Sequence, residues 1–204
     1  MGERGNRSTD RWAFTRADRI GLTALLFVVN GFSLFGWVVA PILSWLRGDP
    51  VWTPFISRVT VPELDGAGVA YSVATYDIRV VGPTTGQRIF GLAAGVLWAA
   101  LLVAGSLIVA RLMRSIAEGN AFDRANVGRL RWLAALLLGA VPVAFVVDLF
   151  ARGALVTDAE LGGLPPTASI SIPWLPIVAG LVVALIAQAF VAGAALRDDV
   201  DGLV

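Results

Sequence analysis

Four long stretches without a charged side chain, divided by short charged segments, constrain this chain more than any other feature. They run from Ile20 to Leu46, Ile89 to Ala110, Trp132 to Val147 and Trp174 to Leu196. A hydrocarbon core of ~30 Å needs about 20 apolar residues at 1.5 Å per residue, so each stretch has the length of a membrane span. Backbone groups in lipid must be satisfied within the segment, which makes each span a helix. The expected architecture is therefore an all-α membrane fold, a bundle of four spans at about residues 20–46, 89–112, 130–151 and 173–196. The whole chain, 1–204, reads as one membrane domain.

Composition narrows the chemistry. Charged residues make up 15% of the chain, against ~25% in soluble domains. With no Cys there is neither a disulfide framework nor a thiol redox pair, and with no His the usual neutral-pH base is missing. All 16 basic residues are Arg, which removes the Lys of a Schiff base or a phosphate-binding loop. No catalytic, cofactor-binding or metal-ligating set is expected, and the chain reads as a non-enzyme.

The distribution of Arg gives an orientation. Arg4, Arg7, Arg11, Arg16 and Arg19 precede the first span, and Arg111, Arg114, Arg124, Arg129 and Arg131 fill the second connection. With Arg197 that side carries 11, whereas Arg47, Arg58, Arg79, Arg88 and Arg152 give the other side 5. The positive-inside rule then places both termini and the 111–131 connection in the cytoplasm, and the Arg-only, Ala/Val/Gly-rich composition points to a bacterial inner membrane. The first span is too long for a signal-peptide core and is read as retained.

Within the spans, Trp45, Trp52 and Trp174 belong to an aromatic belt at the outer interface and Trp132 to one at the inner. Gly91 and Gly95 form a G-x-x-x-G that permits close helix approach, and Pro142 should bend the third helix. Three intramembrane polar residues need partners. Asn30 and Gln188 are expected in interhelical hydrogen bonds, and Asp148 in a local ion pair with Arg152.

The connection 47–88 is too long for a turn. Phe55–Val61 and Val69–Val81 are rich in β-branched and aromatic residues, with turn chemistry at Asp65-Gly66. Two strands alone are marginal in water, so Ala168–Ile172 of the second outer loop is expected to add a third. The result would be a small extracytoplasmic β-sheet capping the helices.

The connection 111–131 reads as a helical hairpin. Gly119 suits the left-handed residue that ends a helix, and Asp123 is a good N-cap for the next one. Phe122 and Val127 then occupy the two positions of a hydrophobic staple.

This hairpin, G-N-A-F-D-R-A-N-V-G-R-L-R, and the ending A-F-V-A-G-A-A-L-R-D-D-V-D-G-L-V resemble the two signatures of an uncharacterised bacterial family of four-span membrane proteins, of which the YoaS-like proteins are examples. Gly119, Phe122, Asn126, Arg129, Leu130 and Arg131 match the first signature, with Ala121 in place of its usual Pro. Phe190, Gly193, Leu196, Asp199, Gly202, Leu203 and Val204 match the second. Members are often encoded beside a helix-turn-helix regulator of the Cro/repressor type, so the resemblance implies a cytoplasmic regulator as partner. The expected role is a sensor or regulatory partner that docks this regulator through Gly119, Phe122, Asn126, Arg129, Arg131, Gly193, Leu196, Arg197 and Asp199. The alternative is a transport-accessory or immunity-type subunit. Other expected partners are the lipid bilayer and, as an open alternative, further copies of the chain; no direct contact with nucleic acid is expected.

Overall fold

The computed structural model describes residues 16–57, 66–67, 74–157 and 172–201. It contains four helical rods long and apolar enough to cross a membrane: Ala17–Arg47, Thr85–Ala117, Arg124–Val156 and Trp174–Gly193. The chain is thus a multi-pass membrane protein, and the four spans are where the uncharged stretches put them. The first rod is α1 (Arg16–Leu34), a π-helical turn at Phe35–Val39, and α2 (Ala40–Arg47). The second is α3 (Thr85–Ala117). The third is α4 (Arg124–Ala135), a π-helical turn at Leu136–Ala140, and α5 (Val141–Thr157). The fourth, α6, runs Trp174–Asp201.

The rods do not close into a ring. Substantial contact joins the first to the second, the second to the third, and the third to the fourth, so the spans form an open array in chain order. The last helix rests on α4 and the π turn that follows it, leaving α5 to pack on α3. No residue from Ala17 to Arg47 is buried within the protein, and side chains such as Phe27, Phe32, Leu175 and Leu185 are more than 70% exposed. In water such a surface would drive aggregation; in a bilayer, tails as apolar as Leu solvate it, so nothing forces the array to close.

Where the helices meet, the seams are made of small residues. Ala94, Ala99, Ala134, Ala144, Ala151 and Ala187 are all buried. Lipid supplies no hydrophobic force between helices, and close van der Waals approach of the backbones takes its place.

Both π turns have the same cause. Proline has no N–H, so in an α-helix the carbonyl four residues earlier loses its partner. For Pro41 that carbonyl belongs to Trp37, and for Pro142 to Leu138. The helix answers by widening just ahead of each proline, with Ala40 N–H bonding Phe35 O and Val141 N–H bonding Leu136 O. A π turn thus precedes both Pro142 and Pro41.

The first span ends at Gly48, whose φ of 73° lies in the left-handed region. Gly48 N donates to Trp45 O and Asp49 N to Ser44 O, a Schellman pair. From there β1 (Val51–Ser57) pairs antiparallel with β2 (Ala74–Val80), Val51 opposite Val80 and Ser57 opposite Ala74. β1 starts nearer the first span than the sequence pattern places it, at Val51 instead of Phe55, because it follows directly on the Gly48 cap, while β2 falls within the expected Val69–Val81. Pro54 is tolerated because each strand of a two-stranded sheet has an open edge. Both strands come from the first connection. Residues 58–65, 68–73 and 168–171, where the rest of the expected strands fall, lie outside the described residues. Thr53 is buried while Trp52 and Pro54 are exposed, so one face of the sheet turns inward, with β1 touching α5.

Two links fix the second span at this end. Thr84 and Gln87 form a complete capping box: Gln87 N donates to Thr84 Oγ1 at 3.3 Å, and Thr84 N to Gln87 Oε1 at 2.8 Å. The same buried Gln87 also donates from Nε2 to Ala154 O of the third span at 2.8 Å. The Thr-x-x-Gln spacing is a readable helix start, and it begins α3 four residues before the uncharged stretch that marks it in the sequence.

Candidate functional site

Phe122 of the first signature and Phe190 and Gly193 of the second meet at one end of the array, around the hairpin between α3 and α4. The turn begins with Gly119, at φ +82°. Gly119 N donates to Ile116 O and Asn120 N to Ser115 O, each at 3.0 Å, again a Schellman pair. A side chain at Gly119 would be strained in that backbone, which is the physical reason for glycine there. Four residues on, Asp123 caps α4, its Oδ1 accepting from Ala125 N at 3.2 Å.

Asn126 locks this turn from inside. It is fully buried, and its Nδ2 donates to Asn120 O at 2.8 Å, Ser115 Oγ at 2.9 Å and Ala121 O at 3.1 Å. Its Oδ1 accepts from Arg129 Nη1. One amide thereby ties the last turn of α3, the loop and the first turns of α4 together. Its hydrogen-bonding groups are spent within the hairpin, so Asn126 shapes a surface without lying on it.

Phe122 makes the second junction. Its ring packs on that of Phe190, centroids 5.1 Å apart and planes tilted 41°. It also lies over Gly193, where a Cβ would come within 2.8 Å of the Phe122 ring. The staple position thus turns its ring toward the last helix, which brings Phe122 from one signature against Phe190 and Gly193 from the other. Leu130 and Val127 are buried on the α4 face, and α4 and α6 pack along their length. Hairpin and last helix consequently form one continuous surface. Arg131 is exposed on it and Arg129 half-buried. The backbone of α6 continues to Asp201, while the side chains of Leu196, Arg197 and Asp199 lie outside the described residues.

The intramembrane polar residues go separate ways. Asn30 Nδ2 donates to Ser106 Oγ of the second span and to Leu26 O, both at 2.7 Å, as an interhelical link. Asp148 pairs with Arg152 at 2.8 Å, one helical turn apart in the favourable acid-first order. Gln188 departs from expectation. It is exposed on the last helix and has no hydrogen-bond partner among the described residues, because the neighbouring buried position that faces the third span is Ala187.

One contact had no polar signal to announce it. The Trp37 backbone, displaced by the π turn before Pro41, lies directly against Gly95, and the ring of Trp37 sits 6.2 Å from that of Trp98. On the other side, Leu137 and Leu138 of the second π turn crowd Gly180 of the last helix, where a Cβ would meet Leu138 at 2.8 Å. Each proline-displaced turn is received by a glycine on the following helix.

Among comparisons with known proteins, the family model described as "Protein of unknown function (DUF2975)" matches residues 54–204, which includes the hairpin and the last helix. No curated protein and no solved structure matches the chain.

Proposed function

Since the chain belongs to the DUF2975 family of proteins of unknown function, its role has to come from its own residues, and we propose that it is a non-enzymatic membrane regulatory partner. In this reading the composite surface of hairpin and last helix docks a cytoplasmic regulator of the helix-turn-helix kind. The observation that carries it is Phe122 seated on Phe190 and Gly193. Two segments separated by a whole membrane hairpin are held as one rigid face, more than a connection between two spans requires. Arg131 and the last-helix positions Arg197 and Asp199 supply charge for recognition; exposed pairs are worth only ~0–1 kcal/mol, so their value lies in orientation. The outer sheet would carry the signal.

The Arg distribution, 11 against 5, supports both termini and the hairpin facing the cytoplasm of a bacterial inner membrane. Reporter fusions at Gly119 and Val204 are expected to give cytoplasmic signals, and one at Ala67 an exterior signal. A cytoplasmic signal at Ala67 would reverse the orientation and remove the docking face from the regulator's compartment.

The docking itself is tested by crosslinking and purification from native membranes. The intact chain is expected to bring down a helix-turn-helix protein, and a chain lacking 198–204 and carrying Arg131→Ala to lose it at unchanged abundance. Capture that survives both changes would sink the docking surface.

A transport-accessory role is the second reading, and the paired π turns favour it, since interrupted helices at matching positions of two halves are a feature of transporters. Against it, the displaced Trp37 backbone abuts Gly95 instead of lining a polar cavity.

A further inference from the structure

Between the second and third spans, at the hairpin end, runs an open groove of about 700 Å³. Its walls are Leu101, Ala104 and Ile108 on one side and Leu136 and Ala140 on the other. At its mouth stand Arg111, Arg129 and Trp132. That volume is in the range of small-molecule sites, ~300–1,000 Å³.

We propose that this groove binds one anionic phospholipid from the leaflet at the hairpin end. Its phosphate would sit on Arg111 and Arg129 and one acyl chain would follow the apolar walls.

Length is the first argument. From Arg129 to Ala140 the third span advances 11 residues, ~16 Å at 1.5 Å per residue, against a single-leaflet hydrocarbon depth of ~15 Å. The groove thus spans one leaflet, with its charge at headgroup level and its apolar end near the midplane. Trp132, 73% exposed beside the two Arg, is an interfacial side chain at the same height.

Charge is the second. Among the described residues no carboxylate pairs with Arg111 or Arg129. Arg129 is half-buried and held by Asn126 Oδ1 through Nη1 alone, leaving its other N–H groups to a ligand. Two guanidiniums beside an apolar channel match a phosphodiester on an acyl chain and do not match a zwitterion's added cation.

A neighbouring groove supplies the contrast. It lies between the first and second spans and is lined by Arg19, Arg114 and Glu118. There Arg114 Nε is already paired with Glu118 Oε1 at 2.9 Å, and the carboxylate would repel a phosphate. Of these two grooves, the one at Arg111 and Arg129 offers positive charge that no carboxylate opposes among the described residues. Because Asn126 both locks the hairpin and aims Arg129, an occupied groove would brace the hairpin from the membrane side. The inference stands apart from the docking of a regulator and needs no partner protein.

Native mass spectrometry of the full chain in detergent tests it, with equal amounts of dioleoylphosphatidylglycerol and dioleoylphosphatidylcholine. The chain is expected to retain one phosphatidylglycerol in preference to phosphatidylcholine. Arg111→Gln should weaken that retention about fivefold, the effect of one basic residue at a membrane surface. Ala104→Leu keeps every charge but fills the channel, and it should also lower retention. Equal retention of the two lipids would overturn the proposal. So would retention untouched by Ala104→Leu, which would mean surface charge alone, or displacement by inorganic phosphate, which would mean a free-anion site.

Discussion

Asn126→Ala is expected to loosen the hairpin by about 2–4 kcal/mol, with stranded buried polar groups costing ~1–3 kcal/mol each. The alanine would remove the donor that Ala121 O and Asn120 O share and the acceptor that holds Arg129. Ser115 Oγ would lose its amide partner as well. By contrast, losing the Asp123 cap costs ~1 kcal/mol, because its oxygen satisfies one exposed amide. Asn126→Asp separates hydrogen bonding from packing: it keeps the shape but turns a carboxylate oxygen toward two carbonyls, so it too should open the turn. Hydrogen exchange followed by mass spectrometry would read the effect as lost protection from Ser115 to Val127. Protection equal to that of the unaltered chain in both variants would show that the turn is held by its glycine and caps alone.

Gly95→Ala is expected to push the first span off the second, although it adds a single methyl group. The new Cβ would fall on the Trp37 carbonyl, and backbone cannot rotate away as a side chain can. Overpacking of this kind costs ~1–3 kcal/mol, more than the ~1 kcal/mol that alanine gains over glycine in a helix. Gly91→Ala is the internal control. It has nothing within 4 Å of the built Cβ and should be neutral or slightly stabilising. The chain has no Cys, so a pair introduced at Asn30 and Ser106, whose side chains bond at 2.7 Å, can report the contact by disulfide formation. Crosslinking should fall with Gly95→Ala and persist with Gly91→Ala. Equal crosslinking in both would mean that Trp37 can yield and the glycine is not a contact requirement.

These variants mark how far the sequence could be read. Gly91 and Gly95 are equal members of one motif, yet only Gly95 receives a neighbour. The difference comes from Pro41, more than fifty residues earlier, which displaces the Trp37 backbone at the depth of Gly95. Gln188 and Asn30 likewise look alike as lone polar residues in apolar helices. Asn30 finds Ser106, while Gln188 faces outward because Ala187 takes the seam. Asn126 stood out as a residue matching a signature, but nothing local distinguishes a recognition group from a buried lock. Its donor contacts fall at Ser115, Asn120 and Ala121, and only the folded turn brings those to one amide.

By itself the sequence determined the number of spans and their places, the hairpin with its glycine and aspartate ends, and the presence of a short β pair. Each follows from local chemistry: uncharged length against bilayer thickness, φ > 0 at Gly119, a carboxylate before free amides, and β-branched residues between turns. Tertiary structure alone decided which faces meet: the open order of the spans, the glycines that receive the proline-displaced turns, and Phe122 on the last helix. The physical reason is the solvent. Lipid wets every apolar face equally, so hydrophobic periodicity carries no mark of the buried side, and partners are chosen by small residues and backbone shape that become complementary only once the helices are side by side.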